Sequence, residues 1–273
     1  LNSMLLEELL TFKKTFAEKH DVQFLLGYTQ QQGSYRLDLR QTNNVPEDPN
    51  MWYISNGDAS QLQYEDVVTL LNIPFQTSFK PYPWDARMRS FLARLIYSFG
   101  SKYDITASIR RDGSSKFGSE NQWGNFPSFA AGWKISEESF FPKNEYINFL
   151  KLRAGWGQLG NQEIPDYGMY TSVTYGFNYT YGPYGNQQTY FGGAPISFAN
   201  QGIKWETTEQ TNIGLDATLL RTSLSINFDY FIRLTKDMLA QTPVPGVTGI
   251  QEPPTVNIGT VSNKGFELNI SYR

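Results

Sequence analysis

Few side chains in this sequence could carry chemistry, and their spacing limits what each could do. Gly155, Gly157 and Gly160 form a literal GxGxxG, which seats a pyrophosphate when it follows a strand and opens a helix. Here Asn161 to Pro165 cannot open a helix and no βαβ unit surrounds the motif, so it is not a dinucleotide cradle. Arg110-Arg111-Asp112-Gly113-Ser114-Ser115-Lys116 lacks Walker spacing and reads as a turn at a strand tip. His20 stands beside Asp21 in a predicted short turn with no catalytic partner in reach of the sequence pattern. Glu137 and Glu138 are adjacent, point in different directions and make no glycosidase pair. With one histidine and no cysteine, disulfides, thiolate nucleophiles and clustered Cys or His zinc sites are excluded. The residues therefore point to no catalytic, cofactor-binding or metal-binding set.

A binding role has a better candidate in the segment 159–207. Tyr167, Tyr170, Tyr175, Phe177, Tyr179, Tyr181, Tyr184, Tyr190 and Phe191 are interleaved there with Gly, Asn and Gln. Flat rings beside amide groups stack on sugar rings or anchor a protein partner. The competing reading is that the rings pack on one another and hold a large loop together.

The elements that must position these residues are strands. The chain has 273 residues, of which 40% are hydrophobic, 15% aromatic and 18% charged, too apolar for disorder. Its net charge of -3, without a basic block, argues against nucleic acid as a partner. No stretch approaches the roughly 18 consecutive apolar residues of a spanning helix, but a spanning strand needs only about 9–11 residues with one apolar face. Tyr103, Ile105, Ala107 and Ile109 alternate without exception with Asp104, Thr106, Ser108 and Arg110. The same period of two recurs in 22–28, 91–99, 129–135, 150–156, 213–219, 224–232 and 266–272, with Leu92 and Ile96 as apolar exceptions on a polar face. With 9–16 the count is nine candidate strands. That first segment is ambiguous, because Leu5, Leu9, Phe12 and Phe16 also fall at helical spacing. A short helical turn is expected over 136–141, with Ser136 as its N-cap.

The connections alternate in length. Those at 17–21, 100–102, 136–148 and 220–222 are the shorter set, while 31–86, 113–126, 159–207 and 236–263 are the longer. In an up-and-down sheet, odd and even connections lie at opposite ends, so one end has turns and the other elaborate loops. Outer-membrane barrels have this asymmetry, and long structureless loops are uncommon in compact soluble domains. The apolar face carries Ile, Leu, Ala and Phe with Phe99 and Tyr103 beside a turn, and the opposite face carries Asp104, Arg110, Lys151, Arg153, Asp216 and Asp229. A soluble antiparallel sheet with one wet face would alternate in the same way. The loop asymmetry favours the barrel wall.

Several long runs are specific enough to be compared with a known family. They are Ser90 to Phe99, Lys102 to Gly118, Trp123 to Glu138, Leu150 to Asn161, Trp205 to Asp216, Asp229-Tyr-Phe, Thr235 to Leu239 and Asn257 to Glu267. Together they resemble the SusC/RagA family of TonB-dependent outer-membrane transporters over most of 86–273, with a looser fit in 1–85 through Leu26-Gly-Tyr28. The resemblance implies an all-β fold, an antiparallel up-and-down transmembrane β-barrel of 22 strands with long extracellular loops, about nine of which lie in this chain. It implies a plug inside the barrel, a SusD-like surface lipoprotein as lid, TonB-ExbB-ExbD as the energy source, and oligosaccharide or peptide as substrate. It also implies residence in outer-membrane lipid of a Gram-negative bacterium, and no enzyme activity or cofactor. The whole chain, 1–273, is expected to be barrel wall, with plug, TonB box and closing C-terminal strands lying outside it. Edges left unpaired in lipid are unstable, so further strands must complete the wall. The resemblance resolves 9–16 as a strand, and Gly155 and Gly157 are expected to leave room for the plug. A surface adhesin or passive porin-like barrel is the alternative function, and an outer-membrane hydrolase is the least supported.

Overall fold

A computed structural model describes residues 2–35, 84–142, 144–164, 168–171, 173–175, 179–184, 186–190, 192–195, 197–250 and 253–273. The chain divides into two compact units, one of residues 1–4 and 32–86, the other of residues 5–31 and 87–273. Side-chain contacts described below lie within the second.

Among the described residues fifteen strands are present in chain order: β1 (Asn2–Phe16), β2 (His20–Tyr35), β3 (Trp84–Phe99), β4 (Tyr103–Ser114), β5 (Trp123–Lys134), β6 (Ile147–Asn161), β7 (Val173–Tyr175), β8 (Tyr179–Tyr181), β9 (Gln188–Tyr190), β10 (Gly193–Pro195), β11 (Glu206–Leu219), β12 (Leu224–Lys236), β13 (Leu239–Gln241), β14 (Thr255–Asn257) and β15 (Thr260–Tyr272). The nine long ones form a single sheet in the order β1-β2-β3-β4-β5-β6-β11-β12-β15, and the other six pair into three small ladders, β7 with β10, β8 with β9 and β13 with β14. Every expected strand lies in this sheet, and each observed strand is longer than the alternating core that marked it. The first segment is strand, as the family resemblance required and as helical spacing alone did not.

The turns are short because their residues adopt the left-handed region. Ala17 and Glu18, Gly100 and Ser101, and Leu220, Arg221 and Thr222 all have positive φ, which suits the twist of tightly joined strands. Only Gly100 among them takes that conformation without a steric cost. The turns are tied to one another: Gly100 N–H donates to Lys19 O at 2.8 Å, Lys134 N–H to Lys102 O at 2.8 Å, and Arg273 N–H to Ser223 O at 2.9 Å.

Two local expectations are corrected. Between β5 and β6 the helical turn is a 3₁₀ segment over Ile135–Glu137, and its N-cap position is Lys134. Ser136 does not cap: its Oγ is buried without a hydrogen-bond partner. The run 110–116 is not a turn from its start, since β4 continues through Ser114, held by pairing that extends to Met88 on β3 and Trp123 on β5.

Burial is concentrated away from the middle of the sheet. Among the described residues the buried apolar side chains are Phe117, Phe126, Ile164, Ile203 and Trp205, with Leu239 packed against them. All belong to the connections at the loop end or to the residues that enter them.

Candidate functional site

Register assigns the side chains of the large sheet to two faces. The row Ile105–Ala131–Ala154–Ile213–Tyr230–Phe266 crosses β4, β5, β6, β11, β12 and β15, and the next row towards the turns is Tyr103–Trp133–Leu152–Leu215–Phe228–Leu268. Many of these apolar side chains are exposed, including Ile105, Leu152, Ile213, Phe228 and Phe266. An exposed apolar band of this width is costly in water and is the outer surface of a barrel wall in lipid.

Aromatic rings bound the band at both ends. At the turn end His20 packs on Phe99 with ring centroids 4.8 Å apart, and Phe99 stacks on Tyr103 at 6.2 Å. His20 Nδ1 also pairs with the Tyr97 hydroxyl at 2.8 Å, so this histidine is held among the aromatic rings of the turn-end belt. At the loop end Tyr28 packs on Phe91 at 5.3 Å and Phe91 on Trp123 at 6.1 Å. Tyr103 and Arg111 lie on one face of β4, roughly 26 Å apart along the strand at about 3.3 Å per residue, or about 20 Å in height after tilting. That is close to the apolar thickness expected of an outer-membrane barrel.

The opposite face is polar, and its charges cancel within a compact network. Arg153 donates from Nε and Nη2 to Asp216 at 2.7 and 2.8 Å, and from Nη2 to Asp229 at 3.0 Å. Lys151 reaches Asp104 at 3.2 Å, Lys134 approaches it at 3.9 Å, and Ser98 Oγ donates to it at 2.9 Å. Asn227 Nδ2 donates to Asp216 at 3.0 Å. Three carboxylates thus face three cations across β4, β5, β6, β11 and β12. Glycine makes the geometry possible, because Gly132 and Gly214 flank Arg153 in one row between Asp104 and Asp229. A Cβ at Gly214 would lie 2.3 Å from Asp229 Oδ1 and 2.8 Å from Arg153 Nη2. The two glycines singled out from the sequence behave differently: Gly155 has room for a methyl group, whereas a Cβ at Gly157 would come within 2.9 Å of Ser128 Cβ.

The loop end is organised around Trp205. Its ring lies 4.9 Å from Phe117 and 5.5 Å from Phe126, the latter edge-on, while its Nε1 donates to Gln122 O at 3.3 Å. Phe126 needs two glycine seats, since a Cβ at Gly124 or Gly160 would come within 2.4 or 2.0 Å of its Cζ. The third glycine of the GxGxxG run therefore seats an aromatic ring. Asn257 links the connections, donating to Lys204 O at 2.8 Å and Asp237 O at 2.9 Å and accepting from Lys204 N–H at 2.9 Å. Lys116 Nζ donates to Ile164 O at 3.0 Å, and Asn200 Nδ2 to Thr255 O at 2.8 Å. Sequence reasoning missed this cluster, although the isolated apolar Phe117, Ile164 and Ile203 among loop residues were a usable signal.

Beyond the cluster lie the tyrosines expected to bind a ligand or lid. Tyr179 stacks on Tyr190 at 5.5 Å across the β8–β9 ladder. Tyr170, Tyr181 and Tyr184 are exposed, Tyr184 completely. Tyr175 sits in β7, opposite Gly193. Tyr167, Phe177 and Phe191 lie outside the described residues. The structure thus pairs two of these rings and presents three others to the surroundings.

At the turn end, outside the spanning strands, Glu138 accepts from Tyr103 Oη, Lys102 Nζ and Trp133 Nε1. The Tyr103 hydroxyl first, then Lys102 and Trp133, hold its carboxyl below the ordinary glutamate range.

A sheet with a lipid-type face between two aromatic belts, a charge-balanced polar face and connections elaborated at one end defines a barrel wall. Comparison with known proteins agrees. Residues 8–273 match the family model described as TonB dependent receptor-like, beta-barrel. The TonB-dependent receptor P39 of Formosa agariphila is 34% identical over 271 residues, covering 98% of this chain and 23% of that protein. The TonB-dependent receptor SusC of Bacteroides thetaiotaomicron is 36% identical over 208 residues, covering 72% of this chain and 21% of that protein. Among solved structures, the RagAB peptide transporter superposes with a TM-score of 0.71 at 24% identity, covering 98% of this chain and 27% of that one. The siderophore receptor PirA from Pseudomonas aeruginosa has the same fold at a TM-score of 0.56, with 98% of this chain and 39% of that one covered. The chain belongs to the TonB-dependent receptor β-barrel family, whose members reside in the outer membrane of Gram-negative bacteria. It spans about a fifth of the length of the curated relatives it matches.

Proposed function

We propose that this chain is one arc of the barrel wall of a SusC-like importer. In this reading residues 1–273 all belong to the barrel domain, and strands beyond β1 and β15 close it. The plug lies inside against the polar face, and TonB-ExbB-ExbD acts through that plug. A SusD-like lipoprotein caps the loop end, where oligosaccharide or peptide is captured. The observation that carries the reading is the 36% identity to the receptor named SusC over 72% of this chain.

The exposed tyrosines take the role of a contact surface for substrate or lid. Tyr181 at the end of β8 and Tyr184 in the turn after it are exposed and lie outside the packed Trp205 cluster, as suits rings whose contacts form on binding. The test is to delete the gene that encodes the full-length protein and measure growth and uptake on defined oligosaccharides and on peptides, with complementation by the intact gene and by one lacking its TonB box. Uptake that is lost on deletion and restored only by the intact gene supports energised import. Uptake restored equally without the TonB box would mean a passive pore, and unchanged uptake with lost surface adhesion would mean an adhesin.

A further inference from the structure

The outer face carries two arginines that the import reading does not use. Arg89 and Arg111 lie on the lipid-side face of β3 and β4, set by the pairs Arg89↔Gly113 and Phe91↔Arg111. Both are exposed, and among the described residues neither has a carboxylate within ion-pairing distance. Cations at the same end of β12 and its continuation are neutralised instead: Lys236 pairs with Glu209 at 3.0 Å and Lys204 with Asp237 at 3.0 Å.

The Arg111 guanidinium is held in place, 5.1 Å from the Trp123 ring centroid. Trp123 can lie there because its partner residue is glycine; a Cβ at Gly113 would come within 2.7 Å of the indole. Below this pair the same face opens into a groove of about 650 Å³, walled by Leu10, Leu26, Phe91, Ala93 and Ile109 and reaching Arg111 and Asn125. Glu8 lines the groove as well, and its carboxylate disfavours an anion on its own side.

We propose that this groove and the two arginines form a seat for a phosphorylated acyl glycolipid of the outer leaflet, of the lipid A type. The acyl chains lie in the groove, and the phosphate meets Arg111 and Arg89 at the level of the loop-end aromatic belt. Charge complementarity selects this occupant: a guanidinium fixed on a tryptophan at the membrane surface presents its remaining donors to a phosphate in bidentate geometry. A neutral lipid would use the groove alone. The proposal rests on the apolar face meeting the outer leaflet and does not depend on what is transported.

The test uses the full-length protein in detergent, titrated with diphosphoryl lipid A and with its dephosphorylated form, bound lipid being read by native mass spectrometry. Wild type should bind the diphosphoryl form about tenfold more tightly than the dephosphorylated form, and R89A/R111A should lose that preference. Ala93→Trp, which fills the groove and leaves both arginines, should weaken binding of both forms. Heat-modifiable migration on a gel reports whether each variant is folded, and Arg111→Lys with Arg89→Lys replaces the alanine pair if that pair fails to fold. The lysine pair should keep part of the preference. Equal binding of the two lipid forms by wild type, or an unchanged preference in a folded arginine variant, would overturn the proposal. Transport assays stay independent of this readout, so loss of either conclusion leaves the other standing.

Discussion

The two ends of the sheet hold their shape by different means. At the turn end, three connections of a few residues in left-handed conformations join strands directly and a fourth carries a 3₁₀ turn, and the polar face beside them is tied by the Arg153–Asp216–Asp229 and Lys151–Asp104 contacts. At the loop end the connections are long, and an apolar cluster around Trp205 with a hydrogen-bonding hub at Asn257 gathers them. A barrel wall has lipid on one side, so its only opportunity for a conventional dry core is where loops fold over one another. The order of the loop end therefore rests on few side chains, whereas that of the turn end is shared among many backbone hydrogen bonds.

This difference can be broken most visibly at Trp205. Trp205→Ala should cost about 3–5 kcal/mol as a large buried aromatic is removed, read as a lower urea midpoint of the full-length protein. Limited proteolysis should then cut the connections 115–122 and 162–205 first. Uniform loss of protection across the sheet would show that the two ends are not separate.

Arg153→Ala strikes the other end. It leaves Asp216 and Asp229 without their shared cation, and because Arg153 is partly exposed the loss should be smaller, about 1–3 kcal/mol. Asp216→Asn in the same background should recover part of it, since one uncompensated charge is removed. No recovery would mean that the guanidinium acts through packing alone. Gly214→Ala should cost about 1–2 kcal/mol, because its methyl group must displace Arg153 or Asp229. The same change at Gly155, which has room for a methyl group, should be nearly silent.

A pH series sharpens the comparison further. Glu138 ionises below the ordinary glutamate value of 4.5, chiefly through the Tyr103 hydroxyl. Its contribution is therefore complete above that value and fades as pH falls through the lowered one. Glu138→Gln should flatten the acid limb of stability while leaving the Trp205 region unaffected. Amide exchange at Lys102 and Lys134 would report it, and an unchanged acid limb would remove Glu138 from the account of the turn end.

The smallest effect on stability is expected at Tyr181 and Tyr184. Alanine at either should change stability by no more than about 0.5 kcal/mol, as for exposed side chains without partners. A fall in capture of ligand or lid by the same variants would separate recognition from scaffolding, and unchanged capture would remove these rings from the site.

Strand positions, the apolar and polar faces and the alternation of short and long connections were legible in the sequence because a strand's period of two is a local property. Eight alternating segments and their connections needed no tertiary information, the ninth, 9–16, was read as strand only through the family resemblance, and the long runs around Tyr103, Trp123 and Asn257 sufficed to recognise the family. The turn at Ala17 and Glu18 was legible only through the segments it joins, since neither residue announces a left-handed conformation. Ser136 looked like a cap because serine caps helices, but the chain there makes a 3₁₀ turn that leaves no donor in reach. What the tertiary structure alone decided was contact across strands distant in sequence. Register placed Gly132 and Gly214 on either side of Arg153, Gly113 beneath Trp123, and Gly124 and Gly160 around Phe126. No periodicity encodes such pairings, because which glycine faces which large side chain depends on strand order and stagger, quantities that exist only once the sheet has formed.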